Sequence, residues 1–316
     1  MRSPYPAIEP TLAEMIDVGD GHDIYFEEAG NVSGIPVVFL HGGPGSGCKP
    51  SHRQFFSPDV YRSVLVDQRG SGRSTPFGGV EGNSTPHLAA DLERLRERLG
   101  IEQWVLFGGS WGAALALYYA ETYPERVLGM VLRGTFLARR RDVDWFFTEG
   151  ASRMLPRGWS EFKQVVGDPA SMIEYLHAAV FGSDPSAAER VARAWARWSQ
   201  EVVTYAIDNV GGEAEDSLSS VMAKTRIELH YARNQYFMRE NQLLEDVDRL
   251  PRVPVSIIHG QRDLTCTPDA AWALHQAVPG SSLRILRTAG HLSGETAMTD
   301  ALLDAADEMA KLVARR

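Results

Sequence analysis

Between Phe107 and Tyr119 the chain reads FGGSWGAALALYY: an apolar approach, a serine between two glycines, then a run of strong helix formers. A strand that turns directly into a helix has little room for side chains beside the corner. Glycines at −2 and +2 from Ser110 therefore suit a sharp turn that lifts one side chain clear. The following helix would aim its positive end at negative charge developing beside that serine. On its own the pattern is weak, so the rest of the chain must supply its context.

Extended signals recur around it. DIYFEEAG (23–30), PVVFLHGG (36–43), RSVLVDQRG (62–70) and WVLFGG (104–109) come first, and the middle two are short apolar runs closed by glycines. Runs of that kind read as strands buried on both faces. TPHLAADLERLRERLG (85–100) places Leu88, Leu92, Leu95 and Leu99 at helical spacing, with Thr85 as cap, Pro86 at the first helical position and Gly100 as stop. RVLGMVLRG (126–134) predicts a further strand. This alternation implies an α/β fold, a mainly parallel sheet with helices on both faces.

From about 136 to 245 the pattern becomes helical throughout, and four of the seven tryptophans fall there: Trp145, Trp159, Trp195 and Trp198. GGEAED (211–216) reads as a polar loop within it. Strands return with VPVSIIHGQRD (253–263) and SLRILRTAGH (282–291), each followed by helical sequence. At 316 residues the chain can hold one α/β core (1–135 and 246–316) interrupted by a helical insertion (136–245).

A serine hydroxyl needs a base to take its proton, and that base needs an orienting carboxylate. In this architecture they follow the serine in the order acid, then histidine, each after a late strand. Asp263 stands just past one late strand and His291 just past the next. His41 and His259 also end strands, but glycine follows each, and they are weaker candidates for the base. The oxyanion of a tetrahedral intermediate needs backbone donors. The N–H of Trp111, directly after the serine, is one candidate. Gly43 in HGGPG is the other, since a side chain there would hold a substrate carbonyl off the backbone.

Taken together, HGGPGSGC, DQRGSGRSTP, GGSWG, VLRGTF, RIELHY and AGH resemble the proline iminopeptidase branch of the α/β-hydrolases over nearly the whole chain. The resemblance implies a cap domain over the site, no metal or cofactor, and release of N-terminal proline from small peptides. Such a substrate carries a charged secondary amine, which calls for a carboxylate, and a pyrrolidine ring, which calls for an apolar aromatic slot. The resemblance puts Glu228 of RIELHY on the amine, Phe136 and Phe146 against the ring, and Arg133 as an ion-pair partner near the pocket.

One position departs from the family. A glutamate is expected directly after a W-x-x-W pair, whereas WARWSQE has Ser199 there. Glu201, the nearest acid, is a further candidate for the substrate side, although it lies about 200° further round a helix and is not a simple replacement. Leu292 likewise follows the histidine where a small polar residue is usual. These changes leave the hydrolytic residues alone and keep an alternative in view, an amidase or esterase of the same fold acting on a specialised metabolite.

The net charge of −9 argues against a nucleic-acid or anionic-membrane surface. No stretch approaches the roughly 20 apolar residues of a membrane span. The two cysteines, Cys48 and Cys266, cannot make a disulfide framework, and MRSPYPAIEP has no apolar run of a secretory signal. A cytoplasmic protein is expected; nothing in the residues indicates an oligomeric state.

Overall fold

The computed structural model describes residues 2–148, 150–207 and 217–315. Its strands are β1 (Leu12–Gly19), β2 (His22–Gly30), β3 (Ile35–Leu40), β4 (Tyr61–Val66), β5 (Trp104–Gly109), β6 (Val127–Arg133), β7 (Val255–Gly260) and β8 (Ser282–Leu286). They form one 8-stranded sheet in the order β1-β2-β4-β3-β5-β6-β7-β8. β1 pairs antiparallel with β2, and β2 with β4. Every pairing from β4 to β8 is parallel. The sequence does not flag β1: its residues alternate between half-buried and exposed at the sheet edge, so it lacks a continuous apolar run.

Alternate residues of the central strands feed two cores. Val38, Leu40, Leu106 and Leu132 pack on one face with α1 (Thr85–Arg98), α2 (Trp111–Thr122) and, later in the chain, Pro268–Ala277. Val37, Phe39, Val105, Phe107 and Val131 face the other side, against the last helix, Thr296–Val313. This period of two explains why the predicted strands are apolar throughout. In α1 Leu88, Leu92 and Leu95 are buried as their spacing requires, Leu99 just past its end is half-buried, and Gly100 adopts φ 62°. The cap is one residue earlier than the sequence suggests. Ser84 is the extended N-cap, Thr85 is already helical, and the Thr85 hydroxyl instead donates to the Tyr236 carbonyl at 2.5 Å.

Between β6 and β7 the described residues hold helices and turns and no strand: α3 (Arg140–Phe147), α4 (Gly150–Met154), α5 (Pro156–Val166), α6 (Met172–Val180), α7 (Pro185–Val203), α8 (Leu218–Arg233) and α9 (Gln242–Glu245). The remaining two helices are then α10 (Pro268–Ala277) and α11 (Thr296–Val313). Tryptophans knit the segment together. Trp195 of α7 stacks on Phe147 at 4.6 Å, and Trp198 meets Trp159 at 5.0 Å. The expected polar loop at 211–216 lies outside the described residues. Among the described residues no helix is long and apolar enough to cross a membrane.

Glu121, on α2, is buried at 3% exposure, and among the described residues neither carboxylate oxygen is in hydrogen-bond geometry. Burial pushes its pKa up to about 7 from 4.5, aided by Asp246 and opposed by Gln242, Arg249 and Arg239. A folded-state pKa above the unfolded one means that the protonated acid favours folding. That contribution is complete below about pH 4.5 and is lost as pH rises through about 7. Glu121→Gln is therefore expected to raise stability at pH 8.5 by about 1–3 kcal/mol and to change it little at pH 4.5. Urea titrations at both pH values check this, and an equal effect at both would show that ionisation is not the cause.

Candidate active site

The corner after β5 explains both glycines of GGSWG. A Cβ on Gly108 would collide with the Gly112 carbonyl, and one on Gly112 with the Leu40 carbonyl of β3, so the helix sits directly against the sheet. Ser110 takes φ 58° and ψ −123°, a conformation that L-residues rarely adopt. Its N–H is held by the Arg133 carbonyl at 2.8 Å, tying the corner to the end of β6. The side chain is buried but not crowded, because its neighbour Gly42 has no Cβ to press on it.

Asp263, after β7, and His291, after β8, meet through His291 Nδ1 and Asp263 Oδ2 at 2.8 Å. The other carboxylate oxygen accepts the N–H groups of Thr265 and Cys266, each at 2.9 Å. Burial works against the Asp263 charge. His291, through charge and hydrogen bond, then His259 and the Cys266 N–H outweigh it and hold the pKa below the ordinary carboxylate value. Asp263 therefore remains an anion facing the imidazole. Gly134 leaves room for the pair, since a Cβ there would lie 3.3 Å from Asp263 Oδ2 and 3.4 Å from the His291 ring.

Among the described residues Ser110 Oγ makes no hydrogen bond to His291; its polar neighbour is Cys266 Sγ at 3.9 Å. A serine hydroxyl turns about one bond, and such contacts are commonly loose without substrate. The Cys266 thiol is poorly suited to compete as a nucleophile. Burial and the Asp263 charge push its pKa well up, so it stays protonated.

HGGPG follows β3 and packs over Ser110: a Cβ on Gly42 would lie 3.2 Å from Ser110 Cβ. Gly43 has φ 111°, a value open to glycine. Gln68 of DQRG accepts the Trp111 indole N–H at 2.9 Å and donates to the His41 carbonyl at 2.9 Å, joining this loop to the corner. The sequence offered Gln68 only as part of a family-like motif. His259, a strand-end residue discounted as a base, is fully buried: its Nδ1 accepts from Thr135 N–H at 3.1 Å and its Nε2 donates to the Cys266 carbonyl at 2.7 Å. It braces the segment carrying Asp263.

The expected substrate-side residues divide. Glu228 of α8 is half-buried beside Trp195, whose indole N–H donates to its Oε2 at 2.9 Å, and Lys224 stands 3.8 Å from its Oε1. Phe146 packs edge-on to Trp195 at 5.4 Å. Phe136 packs edge-on to Tyr236 at 4.9 Å, and Tyr236 lies against Trp111 at 5.5 Å. Glu228 is within electrostatic reach of the Tyr236 hydroxyl, which links the two groups.

Two expectations need correction. Arg133 pairs with no carboxylate among the described residues; its guanidinium donates to the His291 carbonyl and fills the space that the missing Cβ of Gly109 leaves. It supports the histidine loop from below. Glu201 is exposed and lies over Gly158 of α5, on the outer side of α7, whereas Ser199 is buried with Trp195 and Trp198. The helical period separates the two positions, as a rotation of about 200° requires. Among the described residues no group of three or more His, Cys, Asp or Glu side chains could hold a metal ion.

The sequence pattern of the alpha/beta hydrolase fold matches residues 35–297. The chain is 42% identical over 310 residues to the proline iminopeptidase of Xylella fastidiosa (strain 9a5c), covering 97% of this chain and 99% of that one. It is 40% identical over 312 residues to a probable proline iminopeptidase of Leptolyngbya boryana, covering 97% of each. Among solved structures, an alpha/beta hydrolase enzyme from a Medee basin deep-sea metagenome library matches with a TM-score of 0.67 at 18% identity, over 94% of this chain and 96% of that one. That likeness supports the fold alone, whereas the other two extend to sequence over almost the full length of both partners. This chain belongs to the proline iminopeptidase family of α/β-hydrolases.

Proposed function

We propose that the chain is a serine exopeptidase that releases N-terminal proline from small peptides through an acyl-enzyme. The observation that carries this reading is Asp263 hydrogen-bonded to His291 beside the strained Ser110 corner, in a chain about 40% identical to proline iminopeptidases along its length. In this mechanism His291 takes the Ser110 proton as Oγ attacks the prolyl carbonyl. The N–H groups of Gly43 and Trp111 stabilise the oxyanion. His291 then returns the proton to the departing amine, and a water repeats the sequence to free proline.

Helices of 136–245 act as a cap that supplies the specificity. Glu228, oriented by Trp195, binds the prolyl ammonium, while Phe136 and Phe146 wall the ring. Its two free thiols, Cys48 and Cys266, suit a reducing compartment and support a cytoplasmic setting. The decisive assay compares a prolyl arylamide with its N-acetylated form and with other aminoacyl arylamides. Turnover of the free prolyl compound, with at least a tenfold fall in kcat/KM on acetylation, is expected. Hydrolysis of simple esters with no prolyl amide cleavage would reject the peptidase reading.

Buried Ser199 stands where the family pattern expects a second carboxylate. Ser199→Glu is expected to raise kcat/KM for the prolyl arylamide roughly tenfold, the value of one added charge-assisted hydrogen bond. An unchanged or lower kcat/KM in a variant of wild-type thermal stability would mean that Glu228 alone defines the amine site.

A further inference from the structure

His41 closes β3 and is 2% exposed. The N–H of Gln68 reaches its Nε2 at 3.0 Å. A backbone N–H can only donate, so Nε2 holds the lone pair and Nδ1 holds the proton. Nδ1–H then donates to the Gly42 carbonyl at 2.9 Å, and Ser46 N–H supports the same oxygen at 3.3 Å. Burial lowers the His41 pKa against the opposing pull of Asp67 and the Gly42 carbonyl, which keeps the ring neutral and the tautomer single.

The Gly42 carbonyl and the Gly43 N–H belong to one planar trans peptide, so they point in opposite directions. Holding the first aims the second. A peptide between two glycines is otherwise the easiest in a chain to flip, having no Cβ on either side. The second candidate donor, Trp111, hangs on the same chain of contacts: its indole donates to Gln68 Oε1, and Gln68 Nε2 donates to the His41 carbonyl.

We propose that His41 is a positioning residue for the reaction: its Nδ1–H bond to the Gly42 carbonyl aims the Gly43 N–H at the oxyanion, and Gln68 locks that loop to the Trp111 corner. The proposal rests on the serine-hydrolase reading of the site. His41 itself does not touch the substrate, and it acts on the chemical step rather than on binding, because the oxyanion forms on attack and is absent from the bound substrate.

Two substitutions separate this role from simple packing. In His41→Asn the side-chain amide falls near the position of Nδ1 and can still donate to Gly42. In His41→Gln it reaches the position of Nε2 and serves Gln68 instead. Both remove the ring. Removing an oxyanion donor outright costs about 10²–10³ in kcat, so misaiming one is expected to cost about 30–100-fold in His41→Gln and less than about tenfold in His41→Asn. KM should stay within about threefold for both a p-nitrophenyl ester and a prolyl arylamide.

Equal kcat losses in the two variants, or a loss carried by KM, would overturn the proposal. If His41→Gln does not fold, Gln68→Met decides: a fall of about 5–10-fold in kcat at unchanged KM supports the proposal, and unchanged kcat rejects it. A wild-type protein that cleaves the ester but not the arylamide would sink the peptidase reading, and the positioning role would then be judged on ester kcat alone.

Discussion

Replacing Ser110 by alanine is expected to lower kcat for a prolyl arylamide by about 10⁵–10⁶-fold while KM stays within a few-fold. The size of the effect follows from the site's division of labour. With Oγ gone, His291 has no proton to accept and no acyl-enzyme forms, so only the oxyanion donors and substrate binding remain. These keep a residual of about 10³–10⁴ over water. Stopped assays at high enzyme concentration measure that residual, and a fluorophosphonate probe should label wild type but not the variant. Cys266 makes the test sharp, because its Sγ lies 3.9 Å from Ser110 Oγ. If Ser110→Ala keeps activity within 100-fold of wild type and Cys266→Ala abolishes it, the thiol is the nucleophile and the serine reading fails.

Asp263→Asn is expected to cost about 10⁴-fold in kcat at neutral pH with the fold intact. The hydrogen bonds around the carboxylate dictate which way the new amide must lie. Oδ1 accepts the N–H groups of Thr265 and Cys266, so the asparagine oxygen has to take that position. Its NH2 group then faces His291 Nδ1, where Oδ2 stood at 2.8 Å. The imidazole must present a lone pair there and carry its proton on Nε2, the nitrogen that should receive the Ser110 proton. The base is blocked by tautomer rather than displaced. Thermal unfolding should show a much smaller change than the kinetics. A variant with kcat within tenfold of wild type would mean that Asp263 does not set the tautomer.

Residues at strand ends were the most legible part of the site, because a parallel sheet puts the C-terminal ends of its strands along one edge. An apolar run followed by Gly, Asp or His is therefore already a statement about location. Ser110, Asp263 and His291 could be picked out on that ground, and so could the loop carrying Gly43. What lies beneath a strand end is not written in the run itself. Arg133 is expected from the resemblance to be an ion-pair partner near the pocket, yet its guanidinium donates to the His291 carbonyl in the space that Gly109 leaves open. The helical period already puts Glu201 and Ser199 on opposite sides of α7, but which of the two faces inward is decided by the packing of Trp195 and Trp198. The edge strand β1 escaped because an antiparallel strand with one wet face carries half the apolar signal of its buried neighbours.

The order β3-β5-β6-β7-β8 along the sheet has a consequence for how the protein gains its activity. The proposed oxyanion loop, nucleophile, acid and base come from the ends of β3, β5, β7 and β8, so these groups span five of the eight strands and about 250 residues of chain. The long helical stretch between β6 and β7 must be bypassed before the acid and base arrive. Closing so long a loop is slow relative to local pairing. During refolding, the β3–β5–β6 ladder can therefore form with Ser110 in place and no turnover at all. Hydrolysis should be the last signal to return, which makes catalytic recovery a clock for the docking of β7 and β8.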